Sequence, residues 1–192
     1  RFGGLWPALL TPLAANGKPD LETLQRLVEL FVEQGLEGLY VGGSTGQWPL
    51  LTVAERQSIV ERAVKASQGR IAIMAHVGAV ATEDAVTMAR HAADVGADAV
   101  STVAPIYYSH SGDVVFEHYR RIGAASDLPL FVYHIDLAQK LSSGPKEYVD
   151  RLLSLPNIAG MKITSVDLNL FGLIQSYGGD RLQLFSGADE VM

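Results

Sequence analysis

Short uninterrupted apolar runs alternate with longer stretches in which apolar residues recur every three or four positions, from one end of the chain to the other. Seven runs, at residues 6–13, 38–43, 71–78, 99–105, 130–135, 158–164 and 182–185, mostly carry apolar side chains at successive positions. Strands covered on both faces have that pattern. Between them, amphipathic segments such as residues 21–34, 53–67 and 83–95 predict helices, with Leu24, Leu27, Val28 and Phe31 forming one apolar stripe. Punctuation agrees: Asp20 precedes the first helix, Thr52 and Glu55 have capping-box spacing, and Gly35, Gly69 and Gly96 follow helix ends. Strand and helix in strict alternation predict βα units on a parallel sheet. No linker, low-complexity tract or short repeat interrupts the pattern, so residues 1–192 read as one domain.

Periodicity alone does not separate an open doubly wound sheet from a closed barrel. The polar residues favour the barrel. Ser44-Thr45, Tyr107-Tyr108, Tyr133-His134, Lys162 and Asp189-Glu190 all fall at or just beyond predicted strand C-termini, where a (β/α)8 TIM barrel collects catalytic groups from several strands. An open sheet concentrates its chemistry at one switch point, and the glycines of residues 42–46 do not fit the dinucleotide-binding spacing. The expectation is therefore an α/β parallel barrel. At 192 residues the chain is short for that fold, and Met192 follows the seventh predicted strand directly. A barrel truncated there lacks its eighth strand and C-terminal helices, so the chain is expected to be a fragment of a longer protein.

Charge and composition narrow the function classes. Fifteen basic against 21 acidic residues give a net charge of -6 with the signs interspersed, which is no nucleic-acid footprint. The absence of cysteine removes disulfides, thiolate nucleophiles and zinc–thiolate sites and suits a cytoplasmic protein. No apolar stretch reaches the roughly 18 residues of a membrane span, and Arg1-Phe2-Gly3-Gly4 carries no signal-peptide pattern. A soluble protein with neither nucleic-acid nor membrane partners is expected. His76, His91, His110, His118 and His134 show no metal-ligand spacing, so no metal site is expected; His76 and His134 end strands and read as structural.

Of five lysines, Lys18, Lys65, Lys140 and Lys146 stand in polar surroundings, whereas Lys162 lies inside the run Ile158-Ala159-Gly160-Met161-Lys162-Ile163. A buried ammonium is costly, and desolvation lowers its pKa until the amine is neutral. A neutral amine is what attack on a ketone requires. A structural lysine paired with a carboxylate fits the same position, and position alone leaves both readings open. Tyr133, on the preceding strand, has a phenol suited to relay protons, although by composition alone a core aromatic residue with a satisfied hydroxyl is the simpler reading; Tyr107 and Tyr108 raise the same question. Ser44 and Thr45 occupy a Gly-rich turn whose hydroxyls and N–H groups suit an anion such as a carboxylate, or simply serve the turn.

Assembled in order, these segments resemble the N-acetylneuraminate lyase and dihydrodipicolinate synthase family of pyruvate-dependent class I aldolases. The resemblance rests on residues 38–46, on Ala75-His76-Val77-Gly78, and on Asp98-Ala99-Val100-Ser101 with Pro105-Ile106-Tyr107-Tyr108. It continues through Val132-Tyr133-His134-Ile135 and Gly160-Met161-Lys162-Ile163-Thr164-Ser165. It implies a Schiff base between Lys162 and the keto carbon of pyruvate, with Tyr133 as proton relay, Ser44 and Thr45 on the pyruvate carboxylate, and no cofactor. It also implies that Tyr107 completes a hydroxyl relay in a neighbouring subunit of a homotetramer. Thr164, with Gly187, Asp189 and Glu190 of Gly187-Ala188-Asp189-Glu190, resembles the lyase branch's contacts to substrate, the last three holding the sugar-acid tail. The synthase branch's arginine shortly after Tyr133 has no counterpart, since no arginine lies between Arg121 and Arg151. The implied reaction is reversible cleavage of a sialic-acid-like 2-keto acid to pyruvate and an aldehyde. A pyruvate-dependent synthase or dehydratase using the same imine, such as a dihydrodipicolinate synthase or a keto-deoxy sugar acid aldolase, and a non-catalytic keto-acid-binding member, are the alternatives. Gln47 stands where the family commonly has glutamate, and Asp136 where it commonly has proline. With the altered stretch 137–143, these changes are expected to reshape the aldehyde pocket.

Overall fold

A computed structural model gives the structure of residues 2–135, 141 and 143–191. Asp136, residues 137–140 and 142 of the altered stretch, and Met192 lie outside the described residues. Two compact units can be distinguished, Arg1–Val77 with Thr87–Val100, and Gly78–Val86 with Ser101–Met192.

In the first unit, α1 (Leu21–Glu33), β1 (Gly38–Val41), α2 (Val53–Ser67) and β2 (Ala72–His76) follow the predicted alternation. Asp20 caps α1 by accepting from the N–H groups of Glu22 (3.1 Å) and Thr23 (3.0 Å). At α2 the capping box is complete: Glu55 N–H donates to Thr52 Oγ1 (3.3 Å) and Thr52 N–H to Glu55 Oε2 (2.9 Å). These contacts satisfy donors that a helix start otherwise leaves unpaired. Gly35, Gly69 and Gly96 all have left-handed backbones, as helix-terminating glycines do. Leu24 and Val28 of the α1 stripe are buried; Leu27 and Phe31 are half-buried. β1 and β2 pair in parallel from Gly38 opposite Ala72 to Val41 opposite Ala75, and every residue of β1 is buried.

The predicted first strand is the main departure. Residues 6–13 form no strand, only a parallel bridge between Ala8 and Tyr40, with Leu9 N–H donating to Tyr40 O (2.9 Å) and Tyr40 N–H to Pro7 O (3.0 Å), and an antiparallel bridge from Leu13 to Pro19. Pro7 and Pro12 lack the N–H groups that a longer ladder needs. The described residues therefore contain six strands where seven were expected.

α3 (Thr82–Asp94) and β3 (Ala99–Val103) contribute residues to both units. The second unit continues with α4 (Gly112–Gly123), β4 (Leu130–Ile135), α5 (Pro145–Leu152), β5 (Ile158–Thr164), α6 (Leu168–Gly178) and β6 (Gln183–Ser186). β4, β5 and β6 pair in parallel, with an irregularity between Leu130 and Phe131. Opposite it, Gly160 is a spatial requirement, because a Cβ there would overlap the Gln183 carbonyl and stand 2.5 Å from the Phe131 ring. Beneath the strands, Phe116, Tyr119, Val132, Tyr148, Leu152, Met161 and Ile163 belong to one buried cluster. Within it, the Tyr148 hydroxyl has no hydrogen-bond partner among the described residues. His118 is buried, its Nδ1 2.9 Å from Thr82 Oγ1 and its Nε2 3.4 Å from Thr102 Oγ1, tying the middle of α4 to the start of α3 and to β3. No helix among the described residues is long and apolar enough to cross a membrane.

Candidate active site

Register brings the second unit's chemistry together. Tyr133 of β4 stands opposite Lys162 of β5, and Ile135 opposite Thr164. Opposed residues of a parallel pair face the same side, so the phenol and the amine are neighbours. The Lys162 Nζ lies 4.6 Å from the centre of the Tyr133 ring, while the Tyr133 hydroxyl reaches Thr164 Oγ1 at 3.2 Å. His134 points the other way, buried with its ring 6.1 Å from that of Tyr148.

The chain leaves β6 next to this pair. Gly187 N–H donates to Ile163 O (2.8 Å), which pulls the backbone against β5. A Cβ on Gly187 would overlap Thr164 Oγ1 and stand 2.7 Å from Lys162 Cε. Its φ is not left-handed, so space, not backbone conformation, demands glycine. Asp189 and Glu190 follow in a single 3-10 turn, Asp189–Val191, both exposed.

Burial lowers the Lys162 pKa below its ordinary value, and the Asp189 carboxylate partly opposes that by favouring the ammonium. The cluster thus offers an amine biased toward its neutral, nucleophilic form, flanked by two hydroxyls able to pass protons.

Tyr107 sits elsewhere in the second unit, on the surface. The residue is 87% exposed, and its ring meets Tyr108 edge-on with centroids 4.9 Å apart. Its φ of 85° is unusual for a bulky residue.

In the first unit, Ser44 and Thr45 are both exposed in the turn that follows β1. Four carbonyls of this turn have partners within the first unit. Gly42 O lies 3.1 Å from His76 Nδ1, and Gly46 O accepts from Thr11 Oγ1 at 2.7 Å. Gly43 O accepts from Trp48 N–H and Ser44 O from Gln47 N–H. By contrast, the N–H groups of Ser44, Thr45 and Gly46 donate to no acceptor among the described residues. The two exposed hydroxyls and the unbonded N–H groups of this turn are donors of the kind that suit an anion. Sequence reasoning identified this turn but missed Thr11 and His76 as its tethers. The one visible signal was a histidine inside the apolar run of β2. Among the described residues, no group of three histidine, aspartate or glutamate side chains is disposed to hold a metal ion.

Comparison with known proteins extends the likeness from these residues to the whole chain. An N-acetylneuraminate lyase from Citrobacter koseri is 40% identical over 192 residues, 98% of this chain and 63% of that protein. The crystal structure of CdNal from Clostridium difficile in complex with mannosamine superposes with a TM-score of 0.93 at 28% identity, covering all of this chain and 66% of that one. A dihydrodipicolinate synthase from Acinetobacter baumannii, crystallised with pyruvate, gives a TM-score of 0.89 at 31% identity over 98% of this chain and 64% of that one. The chain thus spans less than two thirds of the curated relative's length. Its fold is α/β, with six parallel strands corresponding to part of a TIM barrel. Residues 1–192 match the Dihydrodipicolinate synthetase family from end to end. With that match and the Lys162–Tyr133 pair in place, the chain belongs to the dihydrodipicolinate synthetase family.

Proposed function

We propose that the protein is a Schiff-base aldolase that reversibly cleaves a sialic-acid-like sugar 2-keto acid to pyruvate and an aldehyde. The observation that carries this reading is the half-buried Lys162 amine, held against the Tyr133 ring with its pKa lowered by desolvation. In the proposed cycle the neutral amine adds to the C2 carbonyl, and loss of water leaves an iminium. Tyr133, having given its phenolic proton to the departing water, takes up the proton of the C4 hydroxyl as the C3–C4 bond breaks. The aldehyde departs and the bonding electrons pass into the iminium, giving an enamine. Protonation at C3 and addition of water then release pyruvate and regenerate the amine.

Ser44 and Thr45 hold the substrate carboxylate in this scheme, while Thr164, Gly187, Asp189 and Glu190 contact the polyhydroxyl chain, since carboxylates are good acceptors for hydroxyls. Tyr107 contributes its hydroxyl to the relay of a neighbouring subunit in a homotetramer. The lyase branch is favoured over dihydrodipicolinate synthesis by the 40% identity to an N-acetylneuraminate lyase and by the arginine-free interval between Arg121 and Arg151.

Borohydride trapping of the full-length protein with pyruvate, followed by peptide mapping and a panel of sugar keto acids, tests the reading. A reduced adduct on Lys162 with turnover of a sialic-acid-like substrate is expected. Absence of an adduct would overturn the imine, and an adduct without turnover of any sugar acid would mark a keto-acid-binding protein instead.

A further inference from the structure

We infer that Thr11 and His76, neither of which reaches the open face of the Ser44–Thr45 turn, are positioning residues that set its affinity for the substrate carboxylate. The inference rests on the proposed carboxylate role of that turn and deepens it.

The two residues hold the turn at its ends. Thr11 is buried, and its hydroxyl donates to the carbonyl of Gly46 at 2.7 Å. His76, at the end of β2, is also buried, with Nδ1 3.1 Å from the carbonyl of Gly42. A carbonyl only accepts, so the proton of the imidazole must be on Nδ1 for this bond to exist. The Arg56 Nη2, 3.4 Å from the same nitrogen, then faces a donor; its bond is to the His76 carbonyl at 2.8 Å. Arg56 in turn stacks over the Trp48 ring at 5.1 Å, and Trp48 lies against His76 with ring centroids 5.5 Å apart. The imidazole is therefore gripped by its backbone and by its ring face, as a hydrogen-bond donor aimed at Gly42 needs to be.

Tethering at Gly42 and Gly46 has a polar consequence. Between the tethers, Gln47 and Trp48 bind the carbonyls of Ser44 and Gly43. With those two carbonyls occupied, the peptide planes that carry the Ser44 and Thr45 N–H groups are held, their negative ends turned toward Trp48 and Gln47. Releasing either end lets a peptide plane rotate and present an oxygen where a carboxylate would bind. Two positions on the turn already have left-handed backbones, Gly42 at φ 71° and Gln47 at φ 59°. Without its tethers a turn of this kind has easier conformations available.

The test uses Thr11→Val, Thr11→Ser, His76→Leu and His76→Asn in the full-length protein, with far-UV circular dichroism confirming the fold of each. The half-saturating pyruvate concentration for borohydride trapping at Lys162 is measured beside the limiting trapping rate, and trapping of acetone, which lacks a carboxylate, is measured in parallel. Thr11→Val and His76→Leu are expected to raise the half-saturating concentration about tenfold, the loss of one well-made buried hydrogen bond, with the limiting rate and acetone trapping retained. Thr11→Ser keeps the hydroxyl and His76→Asn offers an amide N–H at the place of Nδ1, so both are expected to recover most of the affinity. Amide hydrogen exchange at Gln47 and Trp48, whose N–H groups donate to the Ser44 and Gly43 carbonyls, should quicken in the two non-donor variants only.

Unchanged half-saturation and unchanged exchange in Thr11→Val and His76→Leu would overturn the inference, as would a loss of acetone trapping equal to that of pyruvate. Should one non-donor variant fail to fold, the other decides. If the wild-type protein forms no pyruvate adduct, the proposed reaction fails, and the exchange measurement still decides whether the tethers hold the turn.

Discussion

Gly187→Ala is a one-methyl perturbation of the lysine's surroundings. The added Cβ would stand 2.7 Å from Lys162 Cε and overlap Thr164 Oγ1. Carbon atoms rest at roughly 3.5–4.0 Å, so the lysine side chain must retreat by about 1 Å unless the backbone moves. The Gly187 N–H bond to Ile163 O, at 2.8 Å, resists movement of the backbone. Overpacking of this kind costs about 1–3 kcal/mol, and a displacement of about 1 Å at a reacting group costs roughly 100-fold in rate. The expected outcome is a folded variant, destabilised by that amount in urea titration, whose borohydride-trapping rate at saturating pyruvate falls roughly 100-fold. An ordinary φ at residue 187 means that alanine brings no backbone penalty of its own. Wild-type trapping together with wild-type stability in Gly187→Ala would refute the reasoning.

Three further outcomes follow from the same geometry. Because burial lowers the Lys162 pKa while Asp189 opposes the shift, the trapping rate should rise with pH to a midpoint below the ordinary 10.5. Asp189→Asn, which removes the charge that favours the ammonium, should move that midpoint further toward acid, as pH–rate profiles will show. Burial pushes His118 down to about 4 from 6.5. The unfolded chain therefore takes up a proton near pH 6.5 that the folded chain refuses until about pH 4. Stability should fall as pH drops through that window, by about 3 kcal/mol in all, and His118→Asn should flatten this dependence in urea titrations at successive pH values. Thr52→Ala removes the α2 capping box and should cost about 1 kcal/mol, read as a lowered urea midpoint with trapping unchanged.

The alternation of strands and helices was legible in the sequence because strands such as β1 and β3 are buried throughout. A doubly covered strand writes its whole length in apolar residues. The helix starts were legible for a local reason: Asp20, Thr52 and Glu55 act on backbone within three residues. Residues 6–13 misled because an apolar run does not register that Pro7 and Pro12 have no N–H to donate. Lys162 stood out as a charge in an apolar strand, but its adjacency to Tyr133 is a property of β4–β5 register, which no local pattern encodes. The inward bonds of Thr11 and His76 were hidden for a similar reason, since a threonine before a proline and a histidine ending a strand look like ordinary structural residues until their distant carbonyl partners are known.

Tyr107 combines an exposed aromatic ring with a left-handed backbone, a conformation that costs a non-glycine residue about 1–2 kcal/mol. In evolutionary terms, the relay role proposed for Tyr107 sets abundance and catalysis pulling this position in opposite directions. A library of variants selected only for soluble yield should drift toward glycine or asparagine at 107, gaining stability. One selected for turnover should keep tyrosine and carry the strain, so the frequency of tyrosine there under the two regimes measures what the phenol is worth to the organism.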